Sequence, residues 1–131
     1  MARPDPGSKR ERRTMQYALL IYENEEALGK NEGGPAFLEL VKQHMAFSPS
    51  LRERGIMTGG AGLKGTVSAT TIRRLNGSRT IHDGPFADSK EQLGGIYLIE
   101  VPDLDAAIEV ARQMPLSDGG SVEIRPLLGP G

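Results

Sequence analysis

The sequence contains no cysteine and no tryptophan, and only 5% of its 131 residues are aromatic. The absence of cysteine excludes a disulfide framework, a thiolate zinc site and a cysteine nucleophile. With so few aromatic residues, the hydrophobic core must be mostly aliphatic. A chain without disulfides is typical of a reducing compartment, so we expect a cytoplasmic protein.

The sequence also lacks an excess of charge of one sign and a long apolar run. Sixteen basic residues face 17 acidic ones, and the net charge of −1 argues against binding to nucleic acid, which usually requires a strong basic excess. No apolar run approaches the roughly 20 residues that a membrane span requires. The N-terminus lacks the apolar segment of a signal peptide, so the sequence predicts neither membrane insertion nor secretion.

Residues 60–65 match the pattern GxGxxG, in which glycines let the backbone approach a dinucleotide. That motif requires a strand before it and a helix after it. The segment VSATTIRRL follows here and has a strand pattern, so we interpret the glycines as a turn or a β-bulge. No spacing of histidines and carboxylates indicates a metal site. We therefore expect neither a bound metal nor a cofactor.

The first 14 residues, MARPDPGSKRERRT, have almost no apolar side chains and carry five basic residues against two acidic ones. Such a segment cannot offset the entropy lost on ordering. We predict a disordered N-terminal extension over residues 1–14 and a folded domain over residues 15–131, with Met15 as an alternative translation start. A second interpretation is a basic arm that contacts nucleic acid or an acidic partner.

Hydrophobic patterning in the rest of the chain predicts six strands and two long helices. The predicted strands are residues 15–22, 56–63, 67–75, 79–83, 95–101 and 121–127. Asn76-Gly77, between the third and fourth strands, is a strong hairpin signal because both residues accept positive φ.

The helices have recognisable ends. Pro35 suits the first helical position of the first helix, and Gly55 suits its end. Pro49 inside that helix predicts either a kink or two helices, with Ser48 capping the second. Asp103 is the predicted N-cap of the second helix.

The order β-α-β-(β-β)-β-α-β contains two β-α-β halves with an inserted hairpin. It predicts a ferredoxin-like α+β fold with both helices on one face of an antiparallel sheet. The other face would be bare, and a second subunit could cover it. We therefore expect a homodimer in which two sheets pair as a dimeric α+β barrel.

The tetrad Asp83-Gly84-Pro85-Phe86 has the composition of a turn, since glycine supplies free φ and proline fixes the next residue. The longer stretch DGPFADSKEQLGGIYLIEVPDLDAAIEVA resembles the signature of the YciI-related (DGPF-domain) family. The segments MQYALLIY and GSVEIRPL resemble the two ends of that family's domain. The resemblance covers residues 15 to about 127.

This resemblance implies a dimeric α+β barrel. The wider superfamily includes small monooxygenases, isomerases and lyases that use the cleft between sheet and helices, and a His–Asp pair has been suggested as the catalytic site of YciI-type proteins. Asp83 matches the carboxylate of that pair, and His44 is the best histidine candidate. Some family members are encoded beside alternative sigma factors or fused to them, which implies a regulatory partner instead.

His44 lies on the apolar stripe of the first helix, where a neutral imidazole bonded to a carboxylate would be a good general base. The alternative is a core histidine satisfied by a single hydrogen bond. Lys90 and Arg73 are candidates for holding a small anionic substrate. His82 is expected at the surface and unpaired with Asp83, because successive strand residues point to opposite faces.

Two functions follow from these observations. The first is a cofactor-independent acid–base enzyme for a small anionic molecule, similar to an isomerase or lyase, with His44 and Asp83 as the catalytic pair. The alternative is a non-catalytic binding or regulatory module, linked to a sigma factor, in which the tetrad is a structural turn. No motif identifies the substrate.

Overall fold

The computed structural model describes residues 13–129. The strands are β1 (Met15–Asn24), β2 (Met57–Gly62), β3 (Thr70–Leu75), β4 (Ser78–Asp83), β5 (Glu91–Val101) and β6 (Ser121–Pro126), and the helices are α1 (Glu25–Leu28), α2 (Pro35–Glu53) and α3 (Leu104–Gln113). The predicted disordered extension falls almost entirely on residues 1–12, which lie outside the described residues. Within residues 13–129, no helix is long and apolar enough to cross a membrane.

Four strands form an antiparallel sheet in the order β2-β5-β1-β6. The helix α2 connects β1 to β2, which lie on either side of β5, and α3 connects β5 to β6, which lie on either side of β1. Each helix therefore links two strands with one strand between them, as in a split β-α-β unit. The α+β prediction is confirmed, and the strand order is compatible with a ferredoxin-like fold.

Both long helices pack on one face of this sheet. Alternate residues of β1 and β5 point to that face because the side-chain period of a strand is two. The core cluster consists of Tyr17, Leu19, Ile21, Leu51, Tyr97, Ile99, Val101, Ala107, Val110 and Met114. Leu19, Leu51 and Ile99 are fully buried, and burial of each contributes about 2 kcal/mol.

The opposite face of the sheet is also apolar. Leu20 pairs with Ile96 across β1 and β5, and Ala18 pairs with Leu98. Leu20, Ile96 and Leu98 are each partly exposed. This surface, which we call the open face, is the one that the sequence predicted to be bare.

The bounds of α2 agree with its predicted signals. Pro35 occupies the first turn. At the other end Gly55 has φ of 71°, its N–H donates to the Arg52 carbonyl at 3.0 Å, and the Ile56 N–H donates to the Leu51 carbonyl at 2.9 Å. These two bonds form a Schellman motif, which requires the left-handed residue that glycine supplies.

The alternative of two helices with Ser48 as a cap was wrong, because Pro49 lies inside one uninterrupted helix. Leu40 and Leu51 are buried on either side of the proline, so tertiary packing holds both halves of α2 in line. Pro49 is exposed, and the carbonyl that loses its intrahelical partner there can bond to water.

The second sheet is the hairpin β3-β4. Asn76 and Gly77 have φ of 52° and 81°, the left-handed pair of a type I′ turn, so the predicted hairpin is confirmed. Its strand β3 begins three residues later than predicted, at Thr70. The reason is a 3₁₀ turn over Thr66–Ser68, whose first N–H donates to the buried Glu25 carboxylate at 3.0 Å.

The glycine-rich stretch forms an edge strand with a bulge. The register between β2 and β5 shifts between Met57 and Gly59, just before residues 60–65, for which the sequence predicted a turn or a bulge. Gly60 follows with φ of 149°, and a Cβ there would lie 2.6 Å from the Ile96 carbonyl oxygen. Only glycine lets β2 approach β5 at this point.

Candidate functional site

A cleft of about 430 Å³ lies between α2 and the sheet. Its α2 wall includes Phe37, Leu40, Val41, His44, Met45, Ser48 and Arg52. Its sheet wall includes Gly60, Ala61, Gly62, Gly94 and Gly95, which are nearly without side chains. This row of small residues on β2 and β5 keeps the space open. The volume suits a small molecule.

His44 and Tyr97 meet inside the cleft. His44 Nδ1 lies 2.7 Å from the Tyr97 hydroxyl oxygen, and the two ring centroids are 5.7 Å apart. The α2 position of His44 and the inward register of Tyr97 on β5 bring the rings together. The Pro115 backbone also lies where a hydrogen bond to His44 acts on its pKa. Which group donates in the bond between His44 and Tyr97 depends on which ring nitrogen carries the proton.

Burial shifts the pKa of both rings. It lowers the pKa of His44 from 6.5, while the Pro115 hydrogen bond and the charge of Glu23 act in the opposite direction. It raises the pKa of Tyr97 above 10.0, against an opposing effect of the Arg52 charge. Desolvation disfavours the charged form of each group. At neutral pH the site therefore holds a neutral imidazole beside a protonated phenol.

A buried ion pair forms another part of the wall. The Lys30 ammonium donates to the Glu23 carboxylate, and the two side chains are only 2% and 5% exposed. The Phe37 ring centroid lies 5.6 Å from Lys30 Nζ. Gly94 makes room for the pair, because a Cβ there would lie 2.1 Å from a Glu23 carboxylate oxygen.

Of the residues predicted from the sequence, only His44 lines the cleft. Asp83 is exposed at the end of β4, and Arg73 is exposed on β3. Lys90 lines a separate pocket of about 690 Å³ beside α1. A single chain thus does not pair His44 with Asp83, and the roles assigned to Asp83, Arg73 and Lys90 stay predictions. His82 is exposed, as expected.

The model of the YCII-related domain matches residues 15–129, which is most of the chain. The chain belongs to the YCII-related family. This protein is also 37% identical over 118 residues to an uncharacterized protein of Rhizobium meliloti (strain 1021), a match that covers 86% of this chain and 92% of that protein. The resemblance drawn from the tetrad is therefore confirmed at the level of the family.

In this YCII-related protein the tetrad is a firmly held turn. Gly84 has φ of 110°, its N–H donates to the Ala69 carbonyl at 2.7 Å, and its carbonyl accepts from the Thr71 hydroxyl at 2.7 Å. The following loop is held by Gln92, whose side-chain amide donates to the Ala87 carbonyl at 2.9 Å. These bonds fix the backbone at Gly84 and in the loop that follows it.

Sequence reasoning missed three groups of the YCII-related cleft. Tyr97 shares the inward register of Ile99 and Val101, and a polar ring on a buried strand face was the available signal. Glu23 and Lys30 lay in a stretch interpreted as an acidic strand end and a loop. No periodicity connects two residues seven apart across a loop, so their pairing had no sequence signal.

Proposed function

We propose that this protein is a cofactor-independent acid–base enzyme for a small molecule, similar to an isomerase or lyase, and that the cleft under α2 is its active site. The observation that carries the proposal is the hydrogen-bonded His44–Tyr97 pair in that cleft. Isomerisation and elimination both need a group that takes a proton from carbon, and a neutral imidazole is the side chain suited to this at neutral pH.

The two rings supply complementary chemistry. His44 is neutral and accepts a proton, and Tyr97 keeps its own proton because burial raises its pKa. In the tautomer with the proton on Nδ1, the ring donates to the Tyr97 oxygen, and Nε2 carries the lone pair that accepts the substrate proton. The phenol O–H is then free to donate to the negative oxygen that develops on a substrate carbonyl. The same proton can be returned at another atom, so the reaction needs no external acid.

Proton exchange in deuterated water tests this function without knowledge of the true reaction. A panel of small carbonyl compounds is incubated with the protein, and loss of the α-proton signal is followed by NMR. We expect catalysed exchange for at least one compound and a fall of about 100-fold or more in His44→Gln. The exposed His82→Gln is the matched control. Equal exchange by wild type and His44→Gln would sink the proposal.

We also propose that two copies pair through the open face to form a dimeric barrel. Support comes from the partly exposed Leu20, Ile96 and Leu98 on that face. In such a dimer, the exposed hairpin of one subunit is available to its partner. Asp83 would take part in proton transfer only if the hairpin brought it to the partner's cleft. In that case Asp83→Asn would reduce the exchange rate as His44→Gln does.

The bonds around the tetrad favour a second candidate, a non-catalytic binding or regulatory module linked to a sigma factor. In that case the tetrad is a structural turn, and Asp83→Asn mainly lowers thermal stability. A sigma factor should then be recovered with the protein at native expression. Catalysed exchange that depends on His44 would contradict this alternative.

A further inference from the structure

The buried Glu23–Lys30 pair has a feature that a purely structural ion pair does not need: both residues line the cleft. With the backbone included, Lys30 is 5% exposed and Glu23 is 4% exposed. An ion pair placed there offers no packing advantage over apolar side chains of similar size, because desolvation offsets much of its attraction. Its position at the wall of a small-molecule cleft therefore points to recognition of a ligand.

The ammonium of Lys30 has unused hydrogen-bonding capacity. It has three N–H donors, and within residues 13–129 its recorded hydrogen bond is the one to Glu23. The Phe37 ring lies against it and accepts no conventional hydrogen bond. A buried ammonium is most stable when oxygen atoms accept its remaining protons, so a ligand oxygen in the cleft would complete its coordination.

The charges of the wall favour an anion as that ligand. Three cationic side chains, Lys30, Arg52 and Lys64, line the cleft, and Glu23 is its carboxylate. His44 adds no charge at neutral pH because burial lowers its pKa. The four charged side chains carry a net positive charge, which an incoming monoanion reduces and a cation increases. Arg52 and Lys64 are exposed, so solvent screens their part of this preference.

The other lining side chains indicate which kind of molecular body the cleft can hold. Leu40, Val41, Met45 and Leu63 are apolar and border the same space. Met45 and Leu63 are 71% and 40% exposed, so they offer apolar surface that a ligand can cover. A molecule with one charged end and an aromatic or branched apolar body matches this distribution.

We propose that Lys30, held in place by Glu23, binds the carboxylate of a small apolar carboxylic acid and so orients the acid towards His44. The inference names the substrate class of the function proposed above and rests on it for the choice of His44 as the reacting end. Lys30 takes the role of anion holder that the sequence assigned to Arg73 and Lys90. Glu23 is a positioning residue, since it acts through Lys30.

The test compares 3-phenylpropanoate with its uncharged analogue 3-phenylpropanamide by NMR titration of the whole protein. We expect the acid to bind at least about tenfold more tightly than the amide. In the double variant Glu23→Gln/Lys30→Met this preference should disappear. The double variant is used because Lys30→Met alone leaves a buried unpaired carboxylate and can prevent folding. Lys42→Met, which changes an exposed lysine on α2, should keep the preference.

A second measurement tests the orientation of the ligand. Glu23 already acts on His44 by raising its pKa, so a bound carboxylate at Lys30 should raise it further, and the amide should not. The pKa is read from the imidazole signals during a pH titration with each probe. An unchanged His44 pKa in the acid-saturated protein would contradict the orientation.

Three other results would overturn the proposal. They are equal affinity for acid and amide, an undiminished preference in a folded Glu23→Gln/Lys30→Met protein, and no binding of the acid to wild type up to about 20 mM. These readouts need no turnover. Failure of carboxylate recognition is therefore distinguished from failure of proton transfer, which the exchange experiment measures.

Discussion

At the scale of single residues, His44 links the stability of the protein to pH. Its folded-state pKa is lower than 6.5 because of burial, so the unfolded chain binds the proton more readily. The contribution of His44 is complete above pH 6.5 and is lost as the pH falls through 6.5 towards the folded-state pKa. We expect wild type to lose more unfolding free energy between pH 7 and pH 5 than His44→Gln, as measured by urea denaturation. Identical pH dependence in the two proteins would contradict the buried neutral imidazole.

Gly94 is a second residue whose effect can be predicted. In Gly94→Ala the new Cβ would meet the Glu23 carboxylate, so the carboxylate must move and its bond to Lys30 is strained. Breaking a buried ion pair costs about 3 kcal/mol, and denaturant unfolding should show a loss of up to that order.

Gly62→Ala is the matched control, because nothing lies within 4 Å of its added Cβ and the site lines the same cleft. We expect it to change the unfolding free energy by less than about 0.5 kcal/mol. The cost of Gly94→Ala should also shrink in a Glu23→Ala background, since the two sites are in contact. An equal cost in both backgrounds would mean that Glu23 is not the cause.

At the scale of elements, α3 depends on its cap. The Asp103 side chain accepts from the Ala106 N–H at 2.9 Å, which satisfies one of the free donors at the start of the helix. Asp103→Ala should cost about 1 kcal/mol of unfolding free energy. Asp105→Ala, an exposed first-turn acid without that bond, should cost less. Similar losses for the two variants would assign the effect to charge rather than to capping.

Some features of the helices and strands are determined by local sequence, and others by contacts that are distant in the chain. Asn76-Gly77 and Asp103 fixed a turn and a helix start through their own backbone chemistry, so both could be predicted. Of the two alternatives given for Pro49, the split into two helices was wrong, because packing of Leu40 and Leu51 on either side of it overrides local propensity. The late start of β3 depends on Glu25, about 40 residues away in the chain.

The candidate site was harder to predict than the fold for the same reason. His44 was found because it lies on a helix whose inner face is visible in the sequence. Its partner Tyr97 comes from another element 53 residues later, and Lys30 comes from a loop. The tetrad containing Asp83 was distinctive as a motif, yet the structure places it in a turn away from the cleft. A motif identifies the family more readily than it identifies the residues that meet a ligand.

At the scale of the whole molecule, we propose that the open face is where two chains associate. One face of the sheet is covered by α2 and α3, whereas Leu20, Ile96 and Leu98 on the other remain partly exposed. The hairpin has an exposed apolar pair of its own, Ile72 and Ile81, which are 61% and 71% exposed. Exposed apolar patches mark interaction sites, and closed symmetric dimers are the commonest assembly.

We therefore expect light scattering at micromolar concentration to give twice the chain mass of 14.1 kDa. Leu20→Glu places a charge in the centre of the open face and should reduce the mass to that of one chain, because a buried unpaired carboxylate opposes association. Leu38→Glu is the control, since Leu38 is 56% exposed on α2, on the helical side of the molecule. If wild type has the mass of one chain, or if Leu38→Glu dissociates it as Leu20→Glu does, the open face is not the dimer interface. In that case the hairpin cannot bring Asp83 to a partner's cleft through the open face.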